Sequence, residues 1–127
     1  MLPNGLPRFC RLHLQRDFER VFKGGIKIKY QGLTMWAAKN PAAEEVRFAV
    51  VVSKKLGTAV VRNRTKRLLR EALRSNRNKI TAGTDIILHP QDSEKLSTVQ
   101  AVQEALMTLC GRAAILKELP NEEQTEG

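Results

Sequence analysis

Carboxylates and histidines are the first residues to test for chemistry in this chain. Candidate acids are Asp17, Glu19, Glu44, Glu45, Asp85, Asp92 and Glu94, and the two histidines are His13 and His89. A self-contained nuclease needs metal-binding carboxylates or an acid–base pair within reach of the substrate. No two of these acids form a ligand motif with a histidine, and Ser53 lies in no nucleophile-elbow pattern. Cys10 and Cys110 are 100 positions apart and match no metal or redox spacing. Reduced thiols in a cytoplasmic protein are the expectation. No catalytic residue is assigned, and metal ligands remain unknown.

The chemistry that is present is the gripping of anions. The whole chain carries +9, and ten Lys and Arg against the single Glu71 between Lys54 and Lys79 account for all of it. Within "VVRNRTKRLLREALRSNR", residues 60–77, a 100° step places Val61, Thr65, Leu68, Leu69, Ala72 and Leu73 on one side. Asn63, Lys66, Arg67, Arg70, Arg74 and Arg77 form the opposite side, with Arg62 and Arg64 flanking the entrance. Cations crowd the first turns, where the helix macrodipole is positive and each costs about 0.3 kcal/mol or more. Like-charge pairs such as Lys66/Arg70 add a few tenths of a kcal/mol each, and Arg67/Glu71 and similar local pairs are the expected relief. A polyphosphate would remove this repulsion and suit the guanidinium forks. A merely solvated face normally mixes signs. A membrane-inserting helix would need Leu68, Leu69 and Leu73 for lipid, but the core needs them. Nucleic acid is the expected partner, with no membrane role.

The elements that must position this face follow from periodicity. Residues 14–23, "LQRDFERVFK", carry Phe18, Val21 and Phe22 on one helical stripe that ends at Gly24-Gly25. "IKIKYQGLTMWAAK" reads as one or two strands broken near Gly32, residues 46–52 as a valine-rich strand and residues 85–89 as a short strand closed by Pro90. Thr58 is the expected N-cap of the basic helix, which should run to about Asn76, and Ser93 that of a last helix through Cys110 or on to Leu116. The order α-β-β-β-α-β-α predicts a single α+β domain, helices packed on a mixed sheet of about four strands. The domain should occupy residues 1–116, with residues 117–127 a disordered acidic tail. The longest apolar run, residues 48–52, is far too short to span a membrane, and residues 1–14 lack the apolar stretch of a secretory signal.

Phe18 and Phe22 lie one turn apart and share a face, an arrangement on which bases of a single strand can stack. The same spacing suits two core phenylalanines. Trp36, the only tryptophan, fits a cleft wall and a buried anchor equally.

The stretch "SKKLGTAVVRNRTKRLLREALR" resembles the signature of the bacterial ribonuclease P protein subunit. Ser53-Lys54-Lys55, Gly57, Ala59-Val60, Arg62-Asn63-Arg64, Lys66-Arg67 and Arg70-Glu71 follow in that family's order, and "DFERVF", "VRFAVVVSKK" and "DIILHP" extend the likeness over about residues 12–90. The resemblance implies a protein that assists a catalytic RNA, which cuts the 5′ leader from precursor tRNA using Mg2+ held mainly by the RNA. It implies that Arg62, Asn63, Arg64, Lys66, Arg67 and Arg70 meet the catalytic RNA. Phe18, Phe22 and Trp36 would line the leader cleft, with Lys54 and Lys55 neutralising phosphates at its end. It also implies a left-handed β-α-β crossover, against the usual hand. A structural RNA-binding protein of ribosomal type is the alternative, and it would not lower a magnesium requirement.

Overall fold

The computed structural model describes residues 15–116. In chain order the elements are α1 (Gln15–Gly24), β1 (Ile26–Tyr30), β2 (Leu33–Lys39), β3 (Arg47–Val50), α2 (Ala59–Asn76), β4 (Thr84–Pro90) and α3 (Val99–Arg112). Short 3-10 turns at Lys54–Leu56 and Arg77–Lys79 bracket α2. This is the α+β order expected from the periodicity.

The sheet has the order β1-β2-β4-β3. β1 and β2 form an antiparallel hairpin closed by Gln31 and Gly32, both at positive φ (53° and 74°). Two such residues match the right-handed twist of the strands they join. β2 pairs antiparallel with β4, and β3 pairs parallel with β4, so the sheet is mixed. A parallel pair cannot be joined by a tight turn, and α2 supplies the crossover.

Alternation along the strands splits the sheet into two unequal faces. Leu33, Met35 and Ala37 of β2, Phe48 of β3, and Ile86 and Leu88 of β4 enter the main core with Leu69, Ala72 and Leu73 of α2 and Val102, Ala105, Leu106 and Leu109 of α3. The opposite face carries a small cluster, Val21 and Ile87, edged by Phe18, Trp36, Ala38 and Ala49. α1 packs there. Gly25 lets the chain pass from α1 straight into β1, since a Cβ would lie 2.5 Å from the Ala37 carbonyl oxygen and 2.6 Å from that of Val21.

Two sequence expectations shift. The valine-rich strand is shorter than residues 46–52, although the Val51 N–H still donates to the Leu88 carbonyl at 2.9 Å. The last helix begins at Val99 rather than near Ser93. Asp92 Oδ1 accepts from the N–H groups of Glu94 (3.0 Å) and Lys95 (3.1 Å), closing a separate turn that buries Leu96, and Thr98 caps α3 instead. That helix ends at Arg112, between the expected limits of Cys110 and Leu116, and Ala114 at φ 58° turns the chain so that Leu116 bridges to Ile80. His13, Cys10 and the acidic stretch 117–127 lie outside the described residues.

Candidate nucleic-acid interface

The basic helix forms as its sequence dictates. Thr58 Oγ1 accepts from the Val61 N–H at 3.3 Å, and α2 runs to Asn76. Thr65, Leu69, Ala72 and Leu73 are buried and Leu68 half-buried, so the apolar stripe lies on the sheet. Each fully buried leucine contributes about 1.5–3 kcal/mol, which outweighs the electrostatic cost of the outer face. At the C-terminal end Asn76 and Gln103 exchange amide hydrogen bonds of 3.1 and 3.3 Å, tying α2 to α3.

Asn63, Arg64 and Arg67 are exposed, while Arg62, Lys66 and Arg70 are half-buried. The first turn holds no acid. Glu71 pairs with Arg74 through both oxygens rather than with Arg67, and the hydrogen bond from Arg74 holds its carboxyl below the usual value. Among the described residues, Arg62, Arg64, Lys66 and Arg67 make no salt bridge. The Nε of Arg62 is buried without a hydrogen-bond partner. A buried donor left unpaired is costly.

The second surface lies across the sheet. The Phe18 and Phe22 rings stack at 6.3 Å, Phe22 meets Trp36 edge-on at 4.9 Å, and Trp36 lies 6.3 Å from His89. Phe22 is 43% exposed and Trp36 half-buried, so the row is a wall open to solvent. Lys27 Nζ stands 5.4 Å from the Trp36 ring centre. The row runs toward the sheet end where Thr34 pairs with His89 and Val51 bonds to Leu88. From that end the chain continues into the exposed Lys54 and Lys55. The structure thus places Phe18, Phe22 and Trp36 together on one side of the sheet, with Lys54 and Lys55 exposed in the turn that follows β3. Alternation, which puts Asp85, Ile87 and His89 on one face, would have added His89.

The sequence reading missed a charged cluster beneath α1. The Asp85 side chain is fully buried in the interior strand β4. It accepts from Arg47 Nε at 3.0 Å and Nη2 at 2.8 Å, from Asn40 Nδ2 at 3.2 Å, and from Arg20 Nη2. Asp17 of α1 accepts from Arg47 at 3.3 Å and lies 3.6 Å from Arg20. Burial alone would raise the Asp85 carboxyl, but the hydrogen bonds from Arg47 and Arg20 outweigh it and hold the group below its ordinary value. The available signal was an aspartate in the apolar strand "TDIILHP", because a buried charge requires partners.

Among the described residues no three His, Cys, Asp or Glu side chains cluster closely enough to hold a metal ion. Cys110 is buried, and burial pushes its thiol up to about 12. No helix among the described residues is long and apolar enough to cross a membrane.

Comparison with known proteins gives a consistent result. Residues 6–114 match the family model for ribonuclease P. The ribonuclease P protein component of Herpetosiphon aurantiacus is 37% identical over 125 residues, covering 96% of this chain and all of that protein. That of Brevibacillus brevis is 33% identical over 113 residues, covering 89% of this chain and 90% of that one. Among solved structures, the RNase P protein of Staphylococcus aureus superposes with a TM-score of 0.75 at 29% identity, over 85% of this chain and 98% of that one. The RNase P protein of Thermotoga maritima gives 0.70 at 35% identity, over 80% and 96%.

Proposed function

This chain belongs to the ribonuclease P protein family and has the role of its protein component, and from that premise we propose how its two surfaces divide the work. The outer face of α2 docks on the catalytic RNA through Arg62, Asn63, Arg64, Lys66, Arg67 and Arg70. Guanidinium groups already crowded on a rigid helix lose little entropy on meeting phosphate, and the phosphates remove their repulsion. The aromatic row of Phe18, Phe22 and Trp36 receives the 5′ leader of precursor tRNA by stacking, with Lys54 and Lys55 beyond its end for the backbone. The observation that carries this reading is a cationic helix face whose four foremost cations have no acidic partner among the described residues.

The reacting bond is assigned to the catalytic RNA. Magnesium is assigned mainly to the phosphates of that RNA, since Mg2+ keeps several of its waters and binds through phosphate oxygens more readily than in an all-protein cage. The protein binds, orients and screens charge, and its screening lowers the magnesium the complex requires.

Reconstitution tests this. Protein alone should leave precursor tRNA intact, and adding it to the RNA subunit at limiting magnesium should restore cleavage. Cleavage by the protein alone would overturn the division of labour. RNA binding without any shift in magnesium requirement would favour a structural RNA-binding role.

A further inference from the structure

α1 is poorly anchored by apolar contact. Its only buried residues are Asp17 and Val21. Taking 100° per residue, Arg20, Asp17, Val21, Phe18 and Phe22 follow one another around about 200° of its circumference. The charges therefore lie on one side of Val21 and the aromatic rings on the other. Val21 alone would serve as a pivot. The charges remove that freedom: Arg20 donates to Asp85, Asp17 accepts from Arg47, and Arg47 in turn grips Asp85 with two bonds. Arg20 also reaches the Lys39 carbonyl at 3.4 Å.

We propose that Asp85 and Arg20 are positioning residues of the aromatic cleft: their ion pair fixes the roll of α1 on the sheet and so sets where Phe18 and Phe22 stand against Trp36. Neither side chain belongs to the ring row, and Asp85 is wholly enclosed. Their influence on a ligand passes through the helix. The consequence for leader binding rests on the cleft reading above, whereas the consequence for α1 does not.

Arg20→Met tests the proposal in the full-length protein. Asp85 keeps its two bonds from Arg47 and one from Asn40, so its charge stays satisfied and the main core is untouched. Two readouts are taken: acrylamide quenching of Trp36, the only tryptophan, and cleavage by the reconstituted holoenzyme of precursor tRNAs with long and one-nucleotide leaders. We expect Trp36 to become more accessible and the long-leader preference in KM to fall about fivefold or more, in line with loss of one stacked base. The kcat at saturating substrate and the affinity for the RNA subunit should hold, and Arg20→Lys should recover part of the preference. Unchanged quenching and preference would overturn the proposal, as would an equal loss of affinity for the RNA subunit. A wild-type holoenzyme indifferent to leader length would sink the cleft reading alone. Quenching then decides: greater Trp36 accessibility upholds the hold on α1, and wild-type accessibility overturns it.

Discussion

α1 and α2 lie on opposite faces of one sheet and use charge in opposite directions. α2 is held by apolar side chains, Leu69, Ala72 and Leu73, and turns its cations outward. α1 is held by Asp17 and Arg20, which reach inward to Arg47 and Asp85, and leaves Phe22 exposed. The lesson is that charge is available for a ligand only where something else does the anchoring. Leucine burial frees the guanidiniums of α2 for phosphate, and the ion network of α1 frees its phenylalanines for stacking.

Breaking the apolar anchor should have the largest effect. Leu73→Ala, in the main core, should cost about 2–5 kcal/mol of global stability, read as a lower urea midpoint with both surfaces lost together. A smaller effect sharpens the contrast. Phe22→Ala should cost about 1–3 kcal/mol of leader affinity with the urea midpoint nearly unchanged, as expected for a side chain 43% exposed. Unchanged leader affinity would return Phe22 to a packing role. Arg67→Ala should leave fold and leader preference intact while reducing the salt slope of RNA-subunit binding by about 1. An unchanged slope would place Arg67 outside the contact.

Acid separates the two anchors most gently. Asp85 is held below its ordinary value, so its stabilisation is complete above the unfolded aspartate pKa and fades as pH falls through the folded one. The groups facing it are Arg20 from α1, Arg47 from β3 and Asn40 from the β2–β3 connection, with Asp17 of α1 on the far side of Arg20 and Arg47. Below about pH 4, amide exchange in α1 should rise before exchange in α2. Simultaneous loss of protection would mean that the two helices share one anchor.

Helix α2 was legible because its information is local: a 3.6-residue stripe, a Thr58 cap and a like-charged opposite face lie within twenty residues. The break between β1 and β2 was legible from Gly32, and the strands from valine and alternation. The start of α3 was misread because Ser93 is a good cap by type, while Asp92 beside it closes its own turn and Thr98 takes the cap. The anchoring of α1 was illegible for a different reason. Arg20 and Arg47 lie 65 and 38 positions from Asp85, and no local pattern joins residues that only the β3–β4 pairing and the packing of α1 bring together. The local relief of charge on α2 comes from Arg74 rather than Arg67, since Arg74 at i+3 reaches both oxygens of Glu71.

The grip of the outer α2 face on RNA phosphates is read from the salt dependence of association with the ribonuclease P RNA. If six to eight phosphates are neutralised, a plot of log affinity against log salt should fall with a slope of about −4 to −7. A slope near zero would contradict the account.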